Sequence, residues 1–164
     1  MLKEIEYTID RWEGGYSNDP VDPGGATNYG IAKKYHPSVD IKNLTKEGAV
    51  AIYKVEYWDA LSLDLITSQR VRWKIFDIAV NLGTDRAARF FQTAIGVVID
   101  GKVGPVTISR SNTITSSGVG EARVVDKLIE LQMKHYVRVT VSSPKKLRFL
   151  EGWANRAFDR GVFV

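Results

Sequence analysis

Cysteine is absent from this 164-residue chain, and only two histidines, His36 and His135, occur in it. The lack of cysteine excludes disulfides, thiolate catalysis and cysteine-ligated zinc. The two histidines lie in widely separated segments, so they form no metal-ligand motif with each other. The sequence therefore predicts neither a metal site nor a cofactor.

Long apolar runs are also missing. The longest, residues 94–99, is far shorter than the roughly 20 residues that a membrane-spanning helix needs. The first ten residues, MLKEIEYTID, are charged and lack the apolar centre of a signal peptide. We therefore expect no stable membrane insertion and no export signal. The hydrophobic content of 44% and charged content of 26% are ordinary for a globular protein.

The positive charge is concentrated in the C-terminal part. Residues 1–100 contain 12 Lys and Arg against 14 Asp and Glu, whereas residues 101–164 contain 11 against 5. This asymmetry favours either attraction to a polyanion, such as nucleic acid, a bacterial envelope or a membrane surface, or a charged face that aids solubility. The basic residues nearest the end are Lys145, Lys146, Arg148, Arg156 and Arg160.

Apolar residues at helical spacing predict a chain made mostly of helices. They indicate helices from the N-terminus to Glu13, from Thr45 as N-cap to Trp58, from Ser68 to Leu82, from Thr84 or Asp85 to Gly96, from Pro105 onwards, over Glu121–Val141 and over Leu147–Phe158, with a short one at Gly30–Tyr35. A polar loop is predicted at Ser111–Gly120. We expect one continuous, mainly α domain.

Several catalytic motifs are absent. The chain has no G-x-S-x-G, no P-loop, no dinucleotide-binding fingerprint and no H-E-x-x-H. The remaining side chains suited to catalysis are carboxylates and hydroxyls, and they concentrate in residues 13–31, EGGYSNDPVDPGGATNYGI. Gly14-Gly15 predicts the end of the first helix, which leaves Glu13 on its last turn. The Asp-Pro and Pro-Gly pairs that follow predict tight turns and a short irregular hairpin.

A glutamate followed by a turn-rich, acidic loop suits the cleavage of a glycosidic bond. That reaction needs one carboxylic acid to protonate the leaving oxygen and a second carboxylate across the sugar. Glu13 fits the first role, and Trp12 and Tyr16 are candidates for the apolar setting that such an acid needs. Thr27 can hold a water or orient a carboxylate. The alternative is structural, with Glu13 on the surface and the aspartates bonding to turn amides.

The same segment resembles the N-terminal signature of glycoside hydrolase family 108, the N-acetylmuramidases found mostly as phage endolysins. Four further segments match in order along the chain: LTKEGAVAIYKVEYWDAL, FDIAVNLG, AIGVVIDGKVGP and SPKKLRFLEGWANRAFD. The last is similar to the family's C-terminal, peptidoglycan-binding-like part. The resemblance implies a mainly α, lysozyme-like α+β fold, with a muramidase region at residues 1–95 and a helical region at 96–164, packed as one domain.

The resemblance also implies site residues. Glu13 would be the catalytic acid that cleaves the β-1,4 bond after N-acetylmuramic acid, with Asp22 as the second carboxylate and Thr27 beside it. The spacing of these three resembles the Glu–Asp–Thr set of phage-type lysozymes, in which the second gap is usually one residue longer. That departure leaves Asp19 as the alternative second carboxylate.

Weaker signals suggest residues that contact the glycan. Asp19, Tyr16 and Tyr29 belong to the same segment, and tyrosine rings can stack on sugars. Asp77 and Asn81 lie four residues apart, so one face of a helix presents both. In the alternative interpretation Asn81 only caps its helix, and the tyrosines are core residues. Trp58, Trp73 and Trp153 are interpreted as packing residues.

The partner expected from this interpretation is peptidoglycan, bound by a monomer that waits in the cytoplasm for release by a pore-forming holin. Three alternatives remain. The first is a cell-wall-binding module without activity. The second is a lytic transglycosylase, which leaves an anhydro sugar. The third is a nucleic-acid-binding domain. The last lacks support, because no helix carries a continuous stripe of Lys and Arg and no reading motif is present.

Overall fold

A computed structural model describes residues 2–18 and 25–161 of the chain. Asp19 and Asp22, the two candidates for the second carboxylate, lie outside the described residues. The chain divides into two compact units, residues 1–56 and 57–164. The division expected from the sequence, between residues 95 and 96, stays a prediction.

Two helices form the frame of the first unit, α1 at Leu2–Trp12 and α2 at Lys46–Tyr53. They pack against each other, and Ile5 and Ile9 of α1 are buried, as their spacing predicts. Thr45 is the N-cap predicted for α2, because its hydroxyl accepts a hydrogen bond from the amide of Gly48 at 3.1 Å.

A β-hairpin replaces the short helix predicted at Gly30–Tyr35, so that prediction is wrong. Strands β1, Thr27–Asn28, and β2, Ile31–Ala32, pair antiparallel around a two-residue turn. The turn residues, Tyr29 and Gly30, both have positive φ, at 50° and 75°. That conformation defines a type I′ turn, whose twist matches the twist of the paired strands.

The second unit is helical. After a π-helical turn at Lys54–Trp58 and 3₁₀ turns at Asp59–Leu61 and Leu63–Leu65, it contains α3 (Gln69–Leu82), α4 (Thr84–Ile95), α5 (Pro105–Thr115), α6 (Gly118–Ser142), a 3₁₀ segment (Pro144–Phe149) and α7 (Leu150–Phe158). Helix α3 packs against α4 and α6, and Trp73, Phe76 and Ile78 on it are fully buried. Ser68 is the N-cap of α3, and Gly96 ends α4 as predicted.

The polar loop predicted at Ser111–Gly120 is wrong, because most of that segment is helical. Helix α5 continues to Thr115, and α6 begins after Ser117, whose hydroxyl accepts from the amide of Gly120 at 3.1 Å. The hydroxyls of Thr113 and Thr115 donate to carbonyls four residues earlier, at 2.9 and 3.0 Å. These back-bonds satisfy the polar side chains within a helix, although their composition resembles a loop.

A buried lysine links α3 to the end of α7. The ammonium of Lys74, which has no exposed surface, donates to the carbonyls of Arg156, Ala157 and Asp159 at 3.2, 2.7 and 3.2 Å. These carbonyls lie at the C-terminal end of α7, where a positive charge is stabilising. Asp77, also fully buried, accepts from Arg156 Nε at 2.9 Å. The group holds α7 onto α3.

Replacing Lys74 by methionine is expected to lower the free energy of unfolding by about 3 kcal/mol at pH 7, because it removes one partner from a buried charged group. Chemical denaturation of the variant and of a control, Lys102→Met at an exposed position, measures this loss. A loss in Lys74→Met no larger than in the control would contradict the structural role of the ammonium.

The same lysine predicts a dependence on pH. Burial lowers the pKa of Lys74 from 10.5 to about 8. Between these values the unfolded chain holds the proton that the folded chain has lost, so stability rises with pH. The difference in unfolding free energy between the unaltered protein and Lys74→Met should therefore grow from pH 8 to pH 10. A constant difference would contradict the lowered pKa.

The mainly α fold predicted from the sequence is confirmed. Among residues 2–18 and 25–161, the only paired strands are β1 and β2, apart from an isolated bridge at Ser17. None of the helices in these two ranges is long and apolar enough to cross a membrane.

Candidate active site

Glu13 lies directly after α1, where its amide donates to the carbonyl of Ile9 at 3.1 Å. Its side chain is partly exposed and reaches the turn of the hairpin. A Cβ atom placed on Gly30 would lie closer than 3.0 Å to both the Glu13 carboxylate and the Tyr53 hydroxyl. The carboxylate, the phenol and the turn backbone therefore meet at one point.

Tyr53 fixes the turn against which Glu13 lies. Its ring is buried at the end of α2, and its hydroxyl donates to the carbonyl of Tyr29 at 2.9 Å. A left-handed conformation in a residue other than glycine costs about 1–2 kcal/mol, and this hydrogen bond helps to offset that cost at Tyr29. The backbone beside the carboxylate is thereby held in one conformation.

Asn28 anchors the hairpin from its other side. Its side chain is buried, and its amide donates to the carbonyls of Ile41 and Leu44 at 3.1 and 3.3 Å. Both carbonyls belong to the segment that leads into α2. The hairpin is thus tied to α2 through Tyr53 and through Asn28.

Thr27 begins this hairpin and also forms a bridge with Ser17. It pairs with Ala32 in the hairpin, and its amide and carbonyl exchange two 2.8 Å hydrogen bonds with Ser17. Asp19 and Asp22 lie in the chain between these two bonded residues. Of the predicted catalytic set, the structure thus describes Glu13 and Thr27 around one hairpin.

The two predicted sugar-stacking tyrosines differ in exposure. Tyr16 is 47% exposed, so a face of its ring is accessible to a ligand. Tyr29 is partly buried in the turn, and its carbonyl is bound by Tyr53. Tyr16 is therefore the better placed of the two to contact a glycan.

Asp77 and Asn81 belong to the second unit, and each is engaged there. The Asp77 carboxylate is fully buried and paired with Arg156, an arrangement that accounts for it without a ligand. Asn81 lies at the end of α3, partly exposed, and its oxygen accepts from the hydroxyl of Tyr136 at 2.7 Å. Although they lie four residues apart, they do not present one polar face to solvent.

The turn in AIGVVIDGKVGP is held by a buried glutamine. Gln92 donates to Asp100 and to the carbonyl of Lys102, at 2.6 and 3.0 Å, and accepts from the amide of Gly101 at 2.8 Å. These bonds give the motif a structural role, since the turn leads directly to α5.

Two of the basic residues near the C-terminus are neutralised within the fold. Arg156 is buried against Asp77, and Arg160 pairs with Asp126 at 2.6 Å. Lys145, Lys146 and Arg148 remain exposed. Any attraction to a polyanion at this end of the chain therefore depends mainly on these three.

The sequence did not identify Gly30 and Tyr53 as parts of the site. The Tyr-Gly pair at 29–30 was a usable signal for a tight turn, since glycine favours positive φ. Nothing local distinguishes Tyr53, which contributes through a contact with a residue 24 positions away.

Comparisons with known proteins show which families and which solved structure the chain is similar to. Residues 7–83 match the family model described as Glycosyl hydrolase 108, and residues 86–158 match the one described as Predicted Peptidoglycan domain. A solved structure, that of Brucella abortus SagA, is similar at 27% identity with a TM-score of 0.69, over 94% of this chain and 91% of that one. No curated protein matches.

The two matches thus cover, in order, the segments in which the sequence resembles glycoside hydrolase family 108 and its peptidoglycan-binding-like C-terminal part. The family resemblance and the lysozyme-like, mainly α fold predicted from the sequence are confirmed. The protein is a glycoside hydrolase that acts on peptidoglycan.

Proposed function

We propose that this enzyme is an N-acetylmuramidase, which hydrolyses the β-1,4 bond between N-acetylmuramic acid and N-acetylglucosamine. The observation that carries the proposal is the placement of Glu13, whose carboxylate lies against the Gly30 turn while its side chain remains partly exposed. A general acid needs both properties, because it must be held in position and yet reach the substrate.

In the proposed mechanism Glu13 protonates the glycosidic oxygen as the bond to the anomeric carbon breaks. A second carboxylate on the opposite face of the sugar stabilises the positive charge of the transition state or activates the attacking water. Asp22 is our candidate for this role and Asp19 the alternative. Thr27, which follows both in the chain, would orient the water or the second carboxylate. Tyr16 would contact the glycan beside them.

The products that the enzyme releases from purified peptidoglycan test the proposal. After digestion, borohydride reduction followed by mass spectrometry identifies the sugar at each new reducing end. A muramidase leaves reducible N-acetylmuramic acid. New ends made of N-acetylglucosamine would place the cut at the other bond, and non-reducible anhydro ends would identify a lytic transglycosylase. The absence of products would favour a binding module.

The choice between the two aspartates gives a further prediction. Asp22→Asn is expected to lower the rate of glycan cleavage far more than Asp19→Asn, because an amide cannot activate water or balance a cationic transition state. Initial rates on the same peptidoglycan preparation measure both variants. The reverse order would assign the second carboxylate to Asp19.

We also propose that the enzyme acts as a monomeric endolysin, which folds in the cytoplasm and reaches the wall when a holin opens the membrane. The support is the family match of residues 7–83, since the members of glycoside hydrolase family 108 are found mostly as phage endolysins. Production of the protein with and without a pore-forming protein tests this proposal. Lysis is expected only when both are present, and lysis by the enzyme alone would refute the requirement for a holin.

A further inference from the structure

A cavity lies within the second unit, and most of its lining belongs to residues 86–158, the segment that matches the predicted peptidoglycan domain. It has a volume of about 430 Å³ and lies where the end of α3 and the start of α4 approach α6 and the segment leading into α7. The residues that matter for its chemistry are Asn81, Arg86, His135, Tyr136, Lys146 and Trp153. The volume suits part of a small ligand.

One wall of this cavity is aromatic. The rings of Tyr136 and Trp153 are stacked, with centroids 5.2 Å apart and planes at 25°. Two hydrogen bonds hold the Tyr136 side chain in place. Its hydroxyl accepts one from the amide of Gln132 at 2.8 Å and donates one to the side-chain oxygen of Asn81 at 2.7 Å. Because that oxygen is occupied, the amide of Asn81 offers its N–H donors to a ligand.

The rest of the lining is cationic. The guanidinium of Arg86 lies 3.1 Å from Nε2 of His135. Burial, together with the nearby charges of Arg86 and Arg138, lowers the pKa of His135, so at neutral pH its ring is uncharged and accepts from Arg86. The arginine is thereby held in place by a neutral partner and keeps its full charge.

Lys146 adds a second positive charge to the cavity. Among the described residues that line it there is no aspartate or glutamate, and no ion pair is found for Lys146 or Arg86 in the ranges that the structure covers. Two unneutralised cations and an amide donor beside an aromatic face match a carboxylate attached to an apolar or sugar body.

We propose that this cavity binds a carboxylate of the short peptides that peptidoglycan strands carry. This inference rests on the proposed function, which supplies peptidoglycan as the ligand. Arg86 and Lys146 would bind the carboxylate, Asn81 would donate to an adjacent carbonyl, and Trp153 would contact the body of the peptide or of the sugar that bears it. The cavity would thereby select strands with intact peptides.

Binding measurements with the full chain test this inference. The probes are a disaccharide-peptide from peptidoglycan, the same disaccharide without its peptide, the free peptide and inorganic phosphate. We expect the peptide-bearing ligands to bind, and the double variant Arg86→Gln, Lys146→Gln to bind them at least tenfold more weakly. A matched control, Arg123→Gln with Lys102→Gln, removes the same two charges from exposed positions outside the cavity and should bind as the unaltered protein does.

Three results would overturn the proposal. If both double variants bound the peptide-bearing ligands equally weakly, the loss of affinity would come from the change in net charge and not from the cavity. If the cavity variant, Arg86→Gln with Lys146→Gln, also bound the disaccharide without peptide more weakly, the cavity would be a sugar-binding site. Phosphate that competes as well as the peptide would make it a general anion site.

Cleavage of peptide-free glycan strands separates this proposal from the muramidase proposal. Both double variants should cleave such strands at the unaltered rate, since neither changes the Glu13 site. If the unaltered enzyme released N-acetylmuramic acid ends neither from these strands nor from intact peptidoglycan, the muramidase proposal would fail. The binding constants would then still decide the role of the cavity, because they are measured with fragments that contain no bond for a muramidase to cut.

Discussion

Glu13→Gln is expected to lower the rate of glycan cleavage by roughly 10²–10⁴-fold, the usual contribution of a general acid. Glutamine has nearly the same shape and can still form hydrogen bonds beside Gly30, but it has no proton to deliver to the leaving oxygen. The temperature of unfolding should stay within a few degrees of the unaltered value. The release of reducing ends from purified peptidoglycan measures the rate.

Glu6→Gln is the matched control for this change. Glu6 lies on α1, the helix that Glu13 directly follows, and the substitution makes the same change from carboxyl to amide. We expect the control to keep its activity, so a loss confined to Glu13→Gln would come from the catalytic carboxyl. Activity close to that of the unaltered enzyme in Glu13→Gln would refute the assignment of the general acid.

Most of the helical fold could be predicted because its signals are local. Ser68 and Thr45 cap the helices that follow them, and Gly96 ends α4 in a left-handed conformation, all within a few residues of the apolar pattern. A short hairpin is predicted within residues 13–31, but its second strand is wrongly assigned to a helix because Ile31 and Tyr35 have helical spacing. The turn at Tyr29 and Gly30 outweighs that spacing, because its backbone is held by hydrogen bonds from distant segments.

The buried charges could not be predicted, because their partners are distant in sequence. Asp77 pairs with Arg156 across 79 positions, and Lys74 reaches carbonyls 82 to 85 positions away. On a helical pattern an Asp four residues before an Asn indicates a polar face. The contact with Arg156 turns the aspartate inward instead, and only a three-dimensional arrangement reveals it.

In the candidate site, too, the features that the sequence predicts are local, and those that it does not predict depend on distant residues. Glu13 was identified from the carboxylates near a helix end and from the family resemblance, since both are properties of one continuous segment. The part played by Tyr53 depends on a hydrogen bond between the end of α2 and the hairpin. The sequence therefore identifies the reacting carboxylate more readily than the residues that hold its surroundings in place.

Gly30→Ala is expected to reduce activity by roughly 10²-fold, as a displacement of about 1 Å in a catalytic group can do. A methyl group at this position would lie closer than 3.0 Å to the Glu13 carboxylate and the Tyr53 hydroxyl, so at least one of them must move. The substitution also places alanine at a φ of 75°, which costs about 1–2 kcal/mol of stability.

Gly96→Ala separates these two effects. Gly96 has a φ of 71°, nearly that of Gly30, but a Cβ atom there meets nothing within 4 Å. Both variants should therefore lose similar stability to backbone strain, while only Gly30→Ala should lose most of its activity. Adding Tyr53→Phe to Gly30→Ala removes one of the two crowded oxygens but leaves the carboxylate crowded, so activity should recover only in part. Equal activity in the two alanine variants would show that the fit of Glu13 against the turn does not matter for catalysis.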